Sequence, residues 1–203
     1  MAPERTASLS LPPALVGWPI VLWSTVAVCT ASSFMFTLAG GGTEGWHAVV
    51  RTSAKTSIAL FLATFAASSA RVFWRNGFTK WLLANRRYVG VSFAASHFVH
   101  LVAILLIVAL EPSFQSSRTT LIFGTLGYVL LAAMAATSSD AAVAWLGQRR
   151  WKALHKTGMY YLWFVFIASY APRLAGSLWY ALFVVPLLAG IALRAAAWQR
   201  QRR

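Results

Sequence analysis

Six long apolar segments, separated by short polar connections, make up most of this chain. They cover residues 15–38, 53–73, 88–110, 119–138, 153–171 and 176–197. Each is close to the length of about 20 residues that an α-helix needs to cross a bilayer. In lipid the backbone polar groups must be paired within the segment, which a helix achieves. The pattern predicts an all-α integral membrane protein, a bundle of six transmembrane helices at residues 15–198 between a terminal segment, 1–14, and a basic tail, 199–203.

The composition excludes most soluble classes of protein. Of the 203 residues 59% are hydrophobic and only 11% are charged, whereas a soluble domain carries about 25% charged residues. The net charge of +14 does not indicate nucleic-acid binding, because the basic residues lie between apolar runs and form no water-facing cluster. We therefore expect membrane lipid, and no nucleic acid, as a partner.

The basic residues also predict the orientation of the bundle. Lysines and arginines are enriched on the cytoplasmic side of membrane proteins. With the amino terminus inside, alternating connections place fourteen of the eighteen on the inner side, and leave Arg51, Lys55, Arg118 and Arg173 outside. This distribution favours six crossings with both termini in the cytoplasm.

Three histidines lie within the apolar segments, where an ionisable side chain calls for an explanation. His97 and His100 lie midway along the third segment, three residues apart, so that they point to nearly the same face of a helix. His155 lies near the start of the fifth segment, and His47 is expected in the outer loop after the first. Neutral imidazole is a good iron ligand. The alternative is that each histidine only forms hydrogen bonds between helices.

Other kinds of site lack the necessary residues. The four acids are Glu4, Glu44, Glu111 and Asp140; they form no catalytic pair, and we expect Asp140 to cap a short helix. The single cysteine, Cys29, cannot form an intramolecular disulfide or a cysteine cluster. No nucleotide-binding motif is present. We assign no catalytic residue and expect any electron donor to be a separate molecule.

Three stretches, at residues 51–60, 86–100 and 151–156, resemble the ferric-reductase-like transmembrane domains, and among them the haem-binding membrane subunits of bacterial methionine sulfoxide reductase systems. Residues 51–60, RTSAKTSIAL, are similar to the family's entry to the second helix. Residues 86–91, RRYVGV, running on to His100, have the paired arginines, the glycine and the histidine at the family's spacing. Residues 151–156, WKALHK, resemble the start of the fifth helix. The likeness covers about residues 45–185.

The resemblance implies a six-helix bundle in the bacterial inner membrane that holds haem b, one or two per chain. Its electrons would come from a cytoplasmic flavoprotein or quinol and leave to an extracytoplasmic reductase. His100 and His155 correspond to the family's iron ligands. No motif specifies a flavin or quinone site, and that possibility stays open.

The ligand set departs from the family pattern at one position. A second histidine, thirteen residues after the first on the fifth helix, is replaced by Ala168, while His97 is an additional histidine. By the rise of a helix, about 1.5 Å per residue, His97 lies closer than His100 to the expected depth of His155. The sequence leaves open whether His155 pairs with His97 or with His100, and whether the number of haems is reduced.

Basic residues at the inner ends of the third and fifth segments are candidates for contact with haem propionates. Arg86, Arg87 and Arg150 are placed to form such ion pairs, although the orientation rule alone also explains them. If the histidines are only hydrogen-bonded, the chain is instead a non-redox bundle, either a small transporter or a scaffold subunit.

Overall fold

The structure, a computed structural model, describes residues 12–203, and every regular element in this part of the chain is helical. Residues 1–11, most of the predicted terminal segment, lie outside the described range. The helices are α1 (Trp18–Leu38), α2 (Gly42–Phe73), α3 (Gly77–Ala84), α4 (Arg86–Leu110), α5 (Arg118–Ala136), α6 (Asp140–Leu146), α7 (Gln148–Tyr170) and α8 (Ala181–Arg202). Short 3-10 turns occupy Pro13–Leu15, Ala171–Ala175 and Leu178–Tyr180.

Five stretches of residues 12–203 are long and apolar enough to cross a membrane. They are α1, α2, α4, α5 and the stretch Leu178–Arg202, which agree with five of the six predicted segments. The remaining segment, 153–171, lies on α7, whose 23 residues fall short in hydropathy because its first half is basic and Tyr160 and Tyr161 follow. The fold is that of an all-helical, multi-pass membrane protein.

The outer faces of the bundle carry large apolar side chains. On α1, for example, Trp18 and Leu22 are each 60% exposed and Phe34 is 63% exposed. A soluble protein rarely leaves such large apolar areas uncovered. Lipid is the solvent that these faces fit.

α2 packs mainly against α4, and also contacts α1 and α8. Small hydroxyl side chains line the α2–α4 interface: the Ser96 hydroxyl lies 2.9 Å from that of Thr56 and 3.0 Å from that of Ser57. Ser53 of α2 and Ser92 of α4 are also buried. Small residues let two membrane helices approach closely, and their hydroxyls bond across the contact.

An aromatic core fills the space between α2, α4 and α7. Phe61 is fully buried, and its ring centroid lies 5.3 Å from that of Phe65, 5.5 Å from that of Phe93 and 5.0 Å from that of Phe166. Aromatic pairs at these distances attract one another beyond the effect of burial alone. This core fixes how α4 and α7 face each other.

Two connections contain short helices. The connection after α2 contains α3, which starts where the Asn76 side chain accepts a hydrogen bond of 2.9 Å from the Thr79 amide. Ser139, not Asp140, caps α6, since its hydroxyl accepts from the Ala142 amide at 3.1 Å. Both caps satisfy amides that the first helical turn leaves unpaired.

α2 begins about eleven residues earlier than the apolar segment predicts. The turn before it is closed by Gly41, whose φ of 73° suits glycine. Ala48 and Val49 are buried, so packing extends the helix beyond its purely apolar part. The prediction that His47 lies in a loop is therefore wrong: His47 is helical.

Candidate functional site

α4 brings His97 and His100 together inside the bundle. Their ring centroids are 5.3 Å apart and the ring planes differ by 13°. The ring of His97 also stacks on Tyr128 of α5 at 4.9 Å and meets Phe166 of α7 edge to face at 5.7 Å. The prediction that the two imidazoles share a face is confirmed.

His100 is held in one orientation by α2. Its Nδ1 lies 3.0 Å from the Val50 carbonyl oxygen and 3.1 Å from the Ser53 hydroxyl. A carbonyl only accepts hydrogen bonds, so Nδ1 carries the proton and donates it. Nε2 is then the nitrogen with a free lone pair, the arrangement found in metal-binding histidines whose other nitrogen is bonded to the backbone.

Three buried side-chain polar atoms in residues 12–203 have no hydrogen-bond partner. Two of them, Nδ1 of His97 and the Tyr128 hydroxyl, belong to rings in contact, and the third is the Ser32 hydroxyl of α1. Buried polar atoms are nearly always paired, so each exception points to a missing partner such as a water or a ligand. Sequence reasoning missed Tyr128, although a lone tyrosine near the middle of the fourth apolar segment could have drawn attention to it.

His155 has different surroundings. Its Nε2 lies 3.2 Å from the Thr137 hydroxyl, which itself donates to the Ala133 carbonyl at 2.7 Å. Its ring centroid lies 4.4 Å from that of Trp151, with the two planes tilted by 32°, and the Trp151 indole donates to the Thr137 carbonyl at 2.9 Å. The hydroxyl therefore accepts from Nε2–H, and Nδ1 keeps its lone pair.

The structure does not bring His155 to the level of the other two histidines. Phe166, which contacts His97, follows His155 by eleven residues on α7, a rise of about 16 Å. On α5, Tyr128 precedes Thr137 by nine residues, or about 13 Å. Within the described residues no three His, Cys, Asp or Glu side chains are grouped closely enough to hold a metal ion. The histidines thus lie at two levels along the bundle, with His97 and His100 at one level and His155 at the other.

Ala168, which stands where the resembling family has its second helix-five histidine, faces away from the bundle. Ala168 and Ser169 are exposed, whereas Phe166 and Tyr170 on the same helix are buried. In this register a side chain at position 168 points outward. Position 168 therefore contributes no inward-facing group at the level of His97 and His100.

The three arginines predicted to contact propionates differ in their partners. Arg86 donates to the Thr64 carbonyl at 3.2 Å and to the Ser68 hydroxyl at 3.0 Å. Arg87 forms an ion pair of 2.6 Å with Asp140. Arg150 is exposed.

The Arg87–Asp140 pair predicts a pH dependence. The hydrogen bond from Arg87 lowers the pKa of the Asp140 carboxyl below its ordinary value. A lowered carboxyl pKa stabilises the fold above the unfolded-state pKa of about 4, and this contribution is lost as the pH falls through the folded-state pKa. Wild type should be slightly more stable than Asp140→Asn at pH 6, and the two thermal unfolding temperatures should converge below about pH 4. A constant difference down to pH 3 would contradict this.

Arg194 was not predicted as a site residue. Its guanidinium donates to the Phe65 carbonyl at 2.8 Å and to the Tyr160 hydroxyl at 3.2 Å. It also lies over the rings of Phe65 and Tyr160, at 4.5 and 5.0 Å from their centroids. A lone cation inside the sixth apolar segment was the signal that could have found it.

The opposite end of the bundle is tied by another contact. Nε2 of His47, near the start of α2, lies 3.2 Å from the Glu111 carboxylate at the end of α4. His47 thus has a carboxylate partner of its own, one turn before Val50 on α2.

Comparisons with protein-family models, with curated proteins and with solved structures found no match to this chain.

Proposed function

We propose that this chain is a transmembrane electron-transfer protein of the ferric-reductase-like kind that binds haem b. It would pass electrons from a cytoplasmic flavoprotein or quinol to an extracytoplasmic acceptor. The observation that supports this proposal best is the pair His97 and His100 within the bundle, with a buried, unpartnered nitrogen on the first and an oriented ring on the second.

The chemistry of the donor set fits haem iron. His100 would bind the iron through Nε2, because Val50 fixes the proton on Nδ1, and His97 is the second candidate on the same face. Their stacked, nearly parallel rings cannot lie on opposite sides of one iron. Haem, when bound, supplies reversible one-electron transfer whose potential is set by its ligands and burial.

His155 would serve a second level nearer the basic end of the bundle. Its Nδ1 has a free lone pair in the hydrogen-bonding pattern with Thr137. Of the three propionate candidates, Arg87 already has a carboxylate partner, whereas Arg86 and Arg150 keep the role open. One or two haems per chain are consistent with this arrangement.

The same proposal includes six crossings and two cytoplasmic termini. α7 would be the sixth span: its 23 residues are long enough, and Leu162 and Phe166 are buried in the core. The ion pair of Arg87 with Asp140 joins the basic start of α4 to the start of α6 at one end of the bundle. In a bacterium that end would face the cytoplasm, and the protein would lie in the inner membrane.

A non-redox helical bundle, a small transporter or scaffold subunit, is the second candidate. One observation favours it: His100 and His155 both have hydrogen-bond partners within the protein. Such bonds between membrane helices are a sufficient structural role for histidine.

Absorption spectroscopy of the purified protein tests the proposal. Protein from haem-replete cells should show sharp α and β bands in the reduced-minus-oxidised spectrum, with one or two haems per chain. The haem-to-protein ratio distinguishes one occupied level from two. A folded, colourless preparation that takes up no added haem would leave the non-redox bundle as the function.

A further inference from the structure

Two guanidinium groups meet on one turn of α2. Arg86, the first residue of α4, donates to the Thr64 carbonyl, and Arg194 of α8 donates to the next carbonyl along α2, that of Phe65. Three helices therefore bring two positive charges to one place, near the end of the bundle that carries most of the basic residues.

No carboxylate neutralises this pair in the described part of the chain. The ion pairs of residues 12–203 are His47 with Glu111 and Arg87 with Asp140. The remaining described acid, Glu44, lies in the first turn of α2, twenty residues before Thr64. Arg86 and Arg194 are both half-buried, so their mutual repulsion is less screened than it would be in water.

Each guanidinium also keeps unused donors. Arginine has five N–H groups. Arg86 donates from two nitrogens, to Thr64 and Ser68, and Arg194 also donates from two, to Phe65 and Tyr160. All these partners are neutral oxygens, and the aromatic rings beneath Arg194 carry no net charge, so no opposite charge compensates the pair. Two adjacent guanidinium forks suit the planar edges of a tetrahedral oxyanion.

We propose that Arg86 and Arg194 together bind a phosphate group, carried by an acidic phospholipid headgroup or present as free phosphate. The site lies where headgroups are found, since Arg86 begins a membrane helix and the exposed Trp198 follows Arg194 by one turn. Aromatic residues of that kind mark the membrane interface. The site does not depend on haem binding.

Ligand-dependent thermal stability of delipidated protein in a neutral detergent tests the site. The two probes are phosphatidylglycerol and inorganic phosphate, each at matched ionic strength. The variants are Arg86→Gln, Arg194→Gln and Arg194→Lys, and the control is Arg149→Gln, an exposed arginine at the same end. We expect each glutamine variant to bind the probe that stabilises wild type about tenfold more weakly than wild type does. Arg194→Lys should lose less of this affinity, and Arg149→Gln should bind as wild type does. Gel filtration checks that each variant is folded. If the glutamine variants do not fold, Arg194→Lys, which keeps the positive charge, still tests the site.

Each outcome decides the proposal. A response to phosphatidylglycerol alone that depends on both arginines assigns the site to a lipid headgroup, and a response to inorganic phosphate assigns it to free phosphate. Equal responses from wild type and all variants would overturn the site. The site would also be overturned if wild type stopped responding to the probes once it was loaded with haem, because the two arginines would then bind the haem carboxylates.

Discussion

Replacing His100 with alanine is expected to weaken haem binding by at least about 100-fold, since loss of a mere hydrogen-bond partner of a ligand already costs 10–100-fold. The α and β bands should largely disappear from the purified variant. The reason is geometric: Val50 fixes Nδ1 as a donor, so His100 presents Nε2 in a single orientation, and no other described side chain of α4 except His97 offers a nitrogen on that face.

The matched control is His47→Ala. His47 also bonds an oxygen, but that oxygen belongs to Glu111, eleven residues beyond His100 at the end of α4. The loss of His47 should therefore leave the spectrum unchanged. His155→Ala should remove half of the haem if both levels are occupied, and none if only the level of His97 and His100 is occupied. Unchanged bands in His97→Ala, His100→Ala and His155→Ala would refute the assignment of the ligands.

The second large effect is expected from Phe61→Ala. Phe61 is fully buried and its ring touches those of Phe65, Phe93 and Phe166. Removing it leaves a cavity that neighbouring helices cannot close, at a cost of about 3–5 kcal/mol in the free energy of unfolding. Unfolding in mixed detergent and dodecyl sulfate measures this loss.

Phe34→Ala provides the comparison, because Phe34 is 63% exposed on α1 and leaves no cavity. Its change in the free energy of unfolding should stay below about 1 kcal/mol, since lipid replaces the lost contacts. Similar losses for the two variants would mean that the aromatic core does not hold α2, α4 and α7 together.

Local sequence patterns were sufficient to predict several features of the fold and of the candidate site. The spacing of His97 and His100 predicted their shared face, because a helix repeats every 3.6 residues. Apolar length predicted α1, α4 and α5 to within a few residues. In these cases the information lies within one helix and does not depend on its neighbours.

Features that depend on packing between helices could not be predicted in the same way. The early start of α2 depends on the burial of Ala48 and Val49. The hydrogen bond of His155 with Thr137 depends on the packing of α7 against α5, which no single segment encodes. Arg194 was missed because its partners, Phe65 and Tyr160, come from two other helices.

The hydroxyl-lined α2–α4 interface has a consequence for biogenesis. Thr56 and Ser96 are forty residues apart in the chain, so the ribosome completes both partners within seconds of each other, at about 5–20 residues per second. Until α4 emerges, the serines of α2 have only their own backbone to bond, as Ser53 does with Val49. The nascent hairpin can therefore close as soon as α4 is inserted, giving α5, α7 and α8 a preformed surface on which to assemble.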